Sequence, residues 1–541
     1  MAIKVTDTIV PRAPEHYNFA ADVIDRWAAD PSKLALFWVD AQGWSERRLT
    51  FAELRDQSRA LAGGLQAAGL HPGDRVAIVI GREPEWWVGM IGLLRAGLVA
   101  VPGTTLLTPK DFKFRIDKGR ISAVVVDGAN AEKIETIRTE IPSVRCFITT
   151  GAPPPGWLAW DQALAQGRPF EPVRTRSTDP AIVFFTSGTT GPPKLVVHSH
   201  ASYPLGHYVT GKIWLDLKPE DLHWNLSDTG WAKAAWSSLF GPWQMGSAVF
   251  VQQATPKFDA AATLDVLRRF PITTFCAPPT AYRQLVALDL KGSPPARLRH
   301  AVAAGEPLNP EVIAVWKEAT GLTIRDGYGQ TETTILVGNF PGRSVKPGSM
   351  GLPAPGMTVE VVGPEAEPLP AGEEGEVAVR VRPERPLGLF LEYEDNPEEN
   401  AAKFRGDYYL TGDRAYRDDE GYFWFVGRND DVILSAGYRI GPFEVESALI
   451  EHPAVLEAAV VGSPDPERYQ IVKAFVVLKA GRVGDDLLRR ELQDHVKRVT
   501  APYKYPREIE FVEVLPKTIS GKIRRVDLRR AEETRKRGHP G

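Results

Sequence analysis

The chain has 541 residues, more than one compact core usually contains, so two or three domains are expected. A hydrophobic content of 43%, a charged content of 25% and a net charge of -3 fit an ordinary globular protein and exclude a general attraction to nucleic acid or acidic membranes. Two cysteines, Cys146 and Cys276, are too few for a disulfide framework or a multi-cysteine zinc site. They favour a reducing, cytoplasmic location.

The first predicted elements alternate between helix and strand. Leucines at helical spacing predict a helix over 51–69, and 75–80 has the pattern of a strand. A second helix is predicted over 86–97 and a strand over 98–101. Arg95 near the middle of this apolar stretch argues against a membrane span, and the N-terminus lacks the apolar core of a signal peptide. The alternation indicates an α/β domain with largely buried strands.

A loop rich in hydroxyl groups follows. Residues 186–194 read Thr-Ser-Gly-Thr-Thr-Gly-Pro-Pro-Lys, with apolar runs at 181–185 and 195–197 on either side. The flanks predict that the loop joins strand to strand. Glycines let the backbone approach a polyphosphate, amides and hydroxyls donate hydrogen bonds, and the lysine adds positive charge. The segment therefore predicts a triphosphate-binding loop.

Two commoner phosphate loops do not fit. A Walker A motif needs G-x-x-x-x-G-K-[ST], but here Gly188 and Gly191 are too close together and a leucine follows Lys194. No G-x-G-x-x-G occurs in the chain, so a Rossmann dinucleotide loop is unsupported. A plain surface turn would rarely carry this many donors together with a lysine.

The helix–strand pattern recurs over 262–329 and contains two further motifs. Ala-Gly-Glu-Pro at 304–307 follows an apolar strand, and its glycine would let a flat base lie against the backbone. Asp-Gly-Tyr-Gly-Gln-Thr-Glu at 326–332 combines an aromatic face, two glycines that permit close approach, and the carboxylate of Glu332. Each motif alone is a weak signal.

The pattern becomes β-rich over 359–426, with strands predicted at 359–362 and 376–381 and a hairpin turn at 418–421. Within it, Tyr-Leu-Thr-Gly-Asp ends at Asp413, a carboxylate at a strand end that suits the two hydroxyls of a ribose.

A smaller α+β unit is predicted after residues 427–431, which have the composition of a short hinge. Helices are predicted over 443–451 and 485–499, and strands over 458–461 and 474–478.

Two basic segments follow. Residues 516–522, Pro-Lys-Thr-Ile-Ser-Gly-Lys, place Lys522 on a loop that contains a glycine. The tail from Arg524 is strongly basic, and it predicts a solvated terminal helix in preference to a nucleic-acid-binding segment.

Together and in this order, the motifs resemble those of the adenylate-forming acyl-CoA synthetase/AMP-ligase superfamily. Residues 225–236 and 501–507 are similar to medium-chain acyl-CoA synthetases, which activate butyrate-to-decanoate acids and, in some members, aryl acids. The resemblance implies an α/β fold in two parts. A large adenylation domain at 1–429 would contain α/β subdomains and a β-rich subdomain, and a small, mobile α+β domain would occupy 430–541.

The resemblance also implies a two-step reaction that uses ATP, Mg²⁺ and coenzyme A. The substrate carboxylate attacks the ATP α-phosphate, giving acyl-AMP and pyrophosphate, and the CoA thiol then displaces AMP. Lys194, Glu332 and Lys522 are the implied catalytic residues, with Glu332 on the metal and Lys522 as a cation at the α-phosphate. Asp430 matches the hinge about which the small domain would rotate between the two steps.

The implied binding residues fall into three groups. The nucleotide group comprises Thr186, Ser187, Gly188, Thr189, Thr190, Gly191, Pro192, Pro193, Lys194, Gly305, Glu306, Pro307, Asp326, Gly327, Tyr328, Gly329, Gln330, Thr331, Asp413, Arg428 and Lys522. The CoA group comprises Ala436, Gly437, Tyr438, Arg468, Lys497, Tyr505, Pro506 and Arg507, with Arg439 approaching the AMP phosphate. The acyl pocket is expected at Trp231, Gly305 and Gly329.

Two other functions stay open at this point. A stand-alone enzyme that loads an amino or aryl acid onto a carrier protein would need an acidic residue for a substrate ammonium, and Asp228 lies near the right region. A catalytically silent ATP-binding module is opposed by the presence of Lys194, Asp413 and Lys522. Acyl chain length cannot be read, because one methylene changes binding by only about 1–3 kcal/mol. A homodimer is one expected assembly, since dimers are common in the resembled family.

Overall fold

The structure is a computed structural model that describes residues 9–167, 170–186, 193–255, 258–290, 295, 297–436, 438–517 and 523–537. The strands of this part of the chain are, as β1 to β27, Leu34–Val39, Glu46–Thr50, Arg75–Val79, Val99–Pro102, Ile121–Val126, Cys146–Thr149, Leu158–Ala159, Pro180–Thr186, Lys194–Ser199, Leu222–Asn225, Ala248–Gln252, Thr274–Ala277, His300–Ala304, Ile324–Gly329, Ile335–Gly338, Leu352–Pro353, Val359–Val362, Gly375–Arg380, Glu392–Tyr393, Phe404–Arg405, Tyr408–Arg417, Phe423–Arg428, Ile433–Ser435, Tyr438–Ile440, Val455–Asp465, Tyr469–Leu478 and Glu508–Phe511. The α-helices are, as α1 to α16, Asp25–Trp27, Phe51–Ala67, Pro84–Arg95, Pro109–Gly119, Gly128–Glu135, Trp160–Gln166, His207–Val209, Ala232–Ala235, Gly241–Met245, Ala260–Arg269, Pro279–Val286, Pro310–Thr320, Pro397–Lys403, Pro442–Glu451, Asp486–Val499 and Arg525–Arg537.

Two mixed sheets form the larger part of the fold. One has the order β16-β15-β14-β13-β12-β10-β11-β1-β2, and the other has the order β19-β9-β8-β4-β3-β5-β6-β7. Their central strands run parallel, while β2, β15, β16, β9 and β19 pair in antiparallel fashion at the edges. The parallel strands are buried, as expected where helices cover both faces of a sheet.

Two smaller sheets complete the described fold. The antiparallel sheet β17-β18-β21-β20, with β22 paired to β21, corresponds to the predicted β-rich segment. The sheet β24-β23-β26-β25, with β27 paired to β26, lies entirely in 433–511 and has its own apolar core. The prediction of a large α/β part followed by a small α+β unit is therefore confirmed.

The helix α2 shows why the early elements form where the sequence predicts. Thr50 accepts the backbone N–H of Glu53 at 3.1 Å, and the Glu53 carboxylate accepts the N–H of Thr50 at 2.7 Å. This capping box fixes the helix start. Leu54, Leu61 and Leu65 share the buried face.

The apolar helix α3 is buried in the core, as predicted. Its Arg95 is fully buried, and its guanidinium contacts the Asp25 carboxylate at 2.6 Å, so the charge is paired inside the fold. Among the helices described, none combines the length and the apolar character that a bilayer crossing requires.

The basic tail forms the predicted helix, α16, but only one face of this helix is solvated as predicted. Leu528 and Glu532 are buried against the C-terminal sheet. Glu532 accepts a hydrogen bond from Ser463 at 2.8 Å and pairs with the buried ammonium of Lys473. These partners are distant in sequence, so the charge pattern of the tail alone could not reveal the docking.

Candidate active site

A hydrogen-bonded cluster joins the end of β14 to the β-rich sheet. The Tyr328 hydroxyl and the Gln330 side-chain amide each donate to Asp413 Oδ2 at 2.6 Å. Asp413 lies on β21 directly opposite Arg428 on β22, and the Arg428 Nε lies 3.6 Å from Asp413 Oδ1. The cluster holds the Asp413 carboxylate in a fixed orientation. It brings together four residues that the sequence analysis assigned to the nucleotide.

A second carboxylate lies next to this cluster. Glu332 Oε1 accepts a hydrogen bond from the Tyr393 hydroxyl at 2.7 Å, and that hydroxyl lies 3.4 Å from the Tyr409 hydroxyl. Tyr409 in turn donates to the side-chain oxygen of Gln330 at 3.1 Å. Burial raises the pKa of the Glu332 carboxyl above its ordinary value, against the opposing effect of the Tyr393 hydrogen bond.

The predicted loop joins two paired strands, as expected. Thr186 ends β8, Lys194 begins β9, and the two residues lie opposite each other in an antiparallel pair. The Lys194 ammonium contacts Glu399 Oε1 at 2.6 Å and lies 5.4 Å from the centre of the Tyr393 ring. Pro193 is partly exposed beside them. The other predicted loop residues lie outside the described residues, namely Ser187, Gly188, Thr189, Thr190, Gly191 and Pro192.

The Gly305–Pro307 segment follows β13, which runs parallel to β14. Gly305 has a φ of 107°, and nothing lies within 4 Å of the position that a side chain would occupy. The Glu306 carboxylate turns away to α11, where it accepts from Thr280 at 2.8 Å and pairs with Arg283 at 3.1 Å. A nucleotide contact from this segment would therefore come from its backbone.

The packing of the protein itself requires the two glycines of 326–331. A side chain on Gly327 would lie 2.4 Å from the Trp214 ring, and one on Gly329 would lie 2.6 Å from the Thr334 carbonyl oxygen. Both positions therefore need glycine to admit neighbouring protein atoms. Asp326 is buried and accepts the N–H of Gly327 at 2.9 Å, and burial raises its pKa well above the ordinary value. The Thr331 carbonyl accepts a hydrogen bond from His198 Nε2 at 2.7 Å.

The loop after β10 approaches the same strand ends. Lys233 donates to the Ala304 carbonyl at 3.1 Å, which places the start of α8 next to Gly305. Trp231 is the residue before α8 and is partly exposed. This brings Trp231 and Gly305 to one region, as the acyl-pocket hypothesis requires.

The residues assigned to CoA lie in the C-terminal unit, on its sheet, in the loops beside it and on α15. Ala436 is exposed with a φ of 49°, and its N–H donates to the Arg468 carbonyl at 3.0 Å. The exposed Tyr438 ring stacks on Tyr503, with centroids 4.2 Å apart and an angle of 19° between the rings. Gly437 lies outside the described residues.

A second part of the CoA group surrounds Tyr505. The Lys497 ammonium lies 4.4 Å from the centre of its ring, and the Arg507 guanidinium lies 5.0 Å from it. Arg507 also donates to the Tyr505 hydroxyl at 3.0 Å, and Gln493 donates to the Pro506 carbonyl at 3.0 Å. The structure thus gathers two cations around one aromatic ring.

Arg439 lies on β24 of the C-terminal sheet. Its side chain is exposed in the β23–β24 hairpin. The pKa of Arg414 is lowered first by the burial of Arg414 and second by the positive charge of Arg439. Arg414 is adjacent to Asp413 on β21, and successive strand residues point to opposite faces. The approach of Arg439 to the AMP phosphate stays a prediction.

Another part of the C-terminal unit, formed by α14 and the start of α16, lies near Glu306 and Asn309. Asn309 donates to the Ser447 hydroxyl at 2.9 Å. Burial opposes the charged form of Arg525 at the start of α16, but the nearby charges of Glu446, Asp431 and Glu306 raise its pKa. Lys522 itself lies outside the described residues. Asp430 is exposed in the turn after β22.

Family models identify the chain. The AMP-binding enzyme model matches 24–386, and the model of the AMP-binding enzyme C-terminal domain matches 444–522. The chain belongs to the AMP-binding enzyme family.

Relatives of this AMP-binding enzyme align with it over nearly their whole lengths. The mitochondrial acyl-coenzyme A synthetase ACSM3 of Rattus norvegicus is 48% identical, with 96% of this chain and 91% of that protein covered. The anthranilate CoA ligase AuaEII in complex with anthranoyl-AMP superposes with a TM-score of 0.89 at 32% identity, covering 97% of this chain and 99% of that one. A benzoate CoA ligase from Burkholderia xenovorans LB400 gives a TM-score of 0.83 at 30% identity, covering 95% and 100%.

The sequence analysis missed three residues of this AMP-binding enzyme that lie around Glu332. Tyr393 donates to Glu332, Glu399 pairs with Lys194, and the charge of Lys403 lowers the pKa of Glu332. The Asn-Pro pair at 396–397 indicates a helix start, but no local signal indicates which face of that helix meets Lys194.

Proposed function

We propose that the protein is an AMP-forming acyl-CoA synthetase that activates medium-chain fatty acids or aryl carboxylates. The supporting observation is that the Asp413 cluster lies directly beside Glu332 and Lys194, linked through Tyr409 and Tyr393. A carboxylate oriented for ribose hydroxyls thus adjoins a carboxylate and an ammonium suited to a metal-bound triphosphate.

The proposed reaction has two steps. A carboxylate oxygen of the acid attacks the α-phosphorus of ATP, the bond to the β-phosphate oxygen breaks, and pyrophosphate leaves with the electron pair. The CoA sulfur then attacks the acyl carbon of the mixed anhydride, AMP leaves, and the thiol proton passes to solvent. The first step needs positioning and charge neutralisation more than covalent help from the protein.

A magnesium ion fits the residues present. Mg²⁺ is commonly held by one or two carboxylates together with substrate phosphates, and Glu332 offers one partly exposed carboxylate in the neighbourhood of Lys194. When bound, the ion would neutralise the polyphosphate. Tyr393 orients Glu332 and stabilises its charged form, and Lys194 supplies a further positive charge.

We propose that the C-terminal unit, with its boundary at 429/430, presents two faces in turn. Lys522 would serve the first step from the Arg525 side, which adjoins Glu306 in this arrangement. Rotation about the exposed Asp430 would then bring Ala436, Tyr438 and Arg439 to the acyl-AMP for the second step.

The carrier-protein alternative has less support. It needs Asp228 to face a substrate ammonium, but Asp228 Oδ1 accepts the N–H of Gly230 at 2.8 Å. Burial raises the pKa of Asp228, and Arg82 is the nearest opposing charge. This carboxylate is therefore occupied within the fold.

The test is AMP release from ATP and Mg²⁺ across acetate, butyrate, octanoate, benzoate and amino acids, with and without CoA. We expect catalytic AMP formation that depends on octanoate, butyrate or benzoate and on CoA. AMP formation with amino acids but with none of the other acids would contradict the proposal. AMP formation with no acid of the panel would also contradict it. A cytoplasmic location and a homodimer stay predictions, for which cell fractionation and light scattering are the measurements.

A further inference from the structure

The pairing of Lys194 with Glu399 is the starting point. The two side chains are 30% and 24% exposed, and their charged atoms lie 2.6 Å apart. Lys194 stands at the end of the predicted triphosphate loop, whereas Glu399 comes from α13, far along the chain. The ammonium that would neutralise a phosphate therefore already has an anionic partner in the protein.

Glu399 is held in place by its helix. The Asn396 side chain accepts the N–H of Glu399 at 3.2 Å and caps the start of α13. The Asn400 side chain accepts the Tyr393 N–H at 2.9 Å and donates to the Tyr393 carbonyl at 2.8 Å. The helix is thereby fixed to the strand whose tyrosine contacts both Glu332 and Lys194.

Negative charge is thus concentrated at this point. Glu332 and Glu399 both lie near the Tyr393 ring, and the Glu399 charge contributes to the raised pKa of Tyr393, after burial and Glu332. A triphosphate arriving at Lys194 would add further negative charge beside Glu399. Like charges repel at short range in a partly buried site. The phosphate and Glu399 therefore compete for one ammonium.

We propose that Glu399 is a built-in competitor of the triphosphate. It neutralises Lys194 when the nucleotide is absent, gives up the ammonium when ATP binds, and takes it back as pyrophosphate leaves. The device weakens binding of ATP and pyrophosphate and favours pyrophosphate release. This inference rests on the proposed role of Lys194.

The experiment compares Glu399→Gln with Glu398→Gln. The two glutamates are neighbours on α13, but Glu398 is exposed, so both variants lose one charge while only one loses the contact to Lys194. Calorimetric titration with ATP and Mg²⁺ in the absence of any acid is expected to show binding about two- to fivefold tighter for Glu399→Gln. Binding of AMP is expected to stay unchanged, and Glu398→Gln should match the wild type for both ligands.

The outcomes separate this inference from the proposed function. If Lys194→Met leaves ATP binding unchanged, the proposed contact of Lys194 with the triphosphate is wrong, and the competitor role of Glu399 fails with it. If Lys194→Met weakens ATP binding but Glu399→Gln matches Glu398→Gln, only the competitor role fails. An equal change in ATP and AMP binding by Glu399→Gln would indicate a structural role and overturn the inference.

A double variant and a shortened side chain complete the test. In a Lys194→Met background, Glu399→Gln is expected to have a smaller effect on ATP binding, because the ammonium for which both compete has gone. Glu399→Asp retracts the carboxylate by one methylene and is expected to give intermediate ATP affinity. An undiminished effect in the double variant, or wild-type affinity in both Glu399 variants, would contradict the proposal.

Discussion

Asp413, proposed for the nucleotide, and Tyr438, proposed for CoA, differ in how the fold supports them. The Asp413 side chain is 9% exposed and is oriented by two hydrogen bonds from the neighbouring sheet. Tyr438 is 51% exposed and stacks on Tyr503. The proposed nucleotide site is therefore organised by the protein alone, whereas the proposed CoA site is a surface that needs an opposing surface to become a site. Variants of each side should accordingly affect different half-reactions.

The largest expected effect comes from Lys522→Ala. Loss of a cation at the reacting phosphate should lower acyl-AMP formation about 100- to 1000-fold. Thioester formation from preformed acyl-AMP should be retained, because Lys522 is proposed to leave before that step. Lys517→Ala is the control, because Lys517 lies in the same 516–522 segment but its ammonium pairs with Glu457 at 2.8 Å. Equal loss of both half-reactions in Lys522→Ala would refute the assigned role.

The next effect is that of Asp413→Asn. The substitution keeps the shape but removes the charge that accepts from Tyr328 and Gln330, so kcat/KM for ATP should fall about 10- to 100-fold. The KM for CoA should be unchanged. Asp419→Asn, in the exposed turn of the same hairpin, provides the comparison. An equal loss of kcat/KM in Asp419→Asn would show that the effect comes from the general charge of the hairpin and not from the hydrogen bonds of Asp413.

Tyr438→Ala tests the other side. Loss of the stacked ring should raise the KM for CoA about two- to tenfold. Acid-dependent ATP–pyrophosphate exchange should stay at the wild-type rate, because the first step does not use this hairpin. Leu434→Ala removes another exposed side chain of the hairpin and should leave both values unchanged. Slower ATP–pyrophosphate exchange in Tyr438→Ala would contradict the assignment of this hairpin to the second step.

The smallest effect is a pH shift in Tyr393→Phe. The Tyr393 hydrogen bond lowers the pKa of Glu332, whereas burial raises it, so removing the hydroxyl raises that pKa further. Glu332 then becomes protonated at a higher pH, and the acid limb of the pH–rate profile should move upward by roughly half a pH unit. Tyr408→Phe removes a hydroxyl that bonds to Glu360 and serves as the control. A profile that stays in place would argue against a charged Glu332 in the first step.

The sequence predicted what local patterns can encode. The strand–loop–strand arrangement at 186–194, the helix predicted over 51–69 and the hairpin at 418–421 depend on period, caps and turns. The structure confirms them, with the helix over 51–67. The packing requirement at Gly327 and Gly329 was not predicted, because it depends on Trp214 and Thr334, which lie outside the motif. No local signal could have distinguished protein atoms from a ligand there.

The site was predictable where its residues occur in recognisable motifs. Tyr328, Gln330, Asp413 and Arg428 lie together as the resemblance implied. Glu399 was missed because its contact with Lys194 depends on how α13 docks on the strand at Tyr393, which involves segments far apart in the chain. The docking of α16 through Glu532 was missed for the same reason.

The proposal that the acid reacts with ATP before CoA takes part is tested most directly by ATP–pyrophosphate exchange with octanoate and Mg²⁺, in the presence and absence of CoA. We expect exchange that requires the acid, proceeds without CoA, falls about 10- to 100-fold in Asp413→Asn and stays at the wild-type rate in Tyr438→Ala. Exchange that needs CoA, or that proceeds without any organic acid, would contradict it.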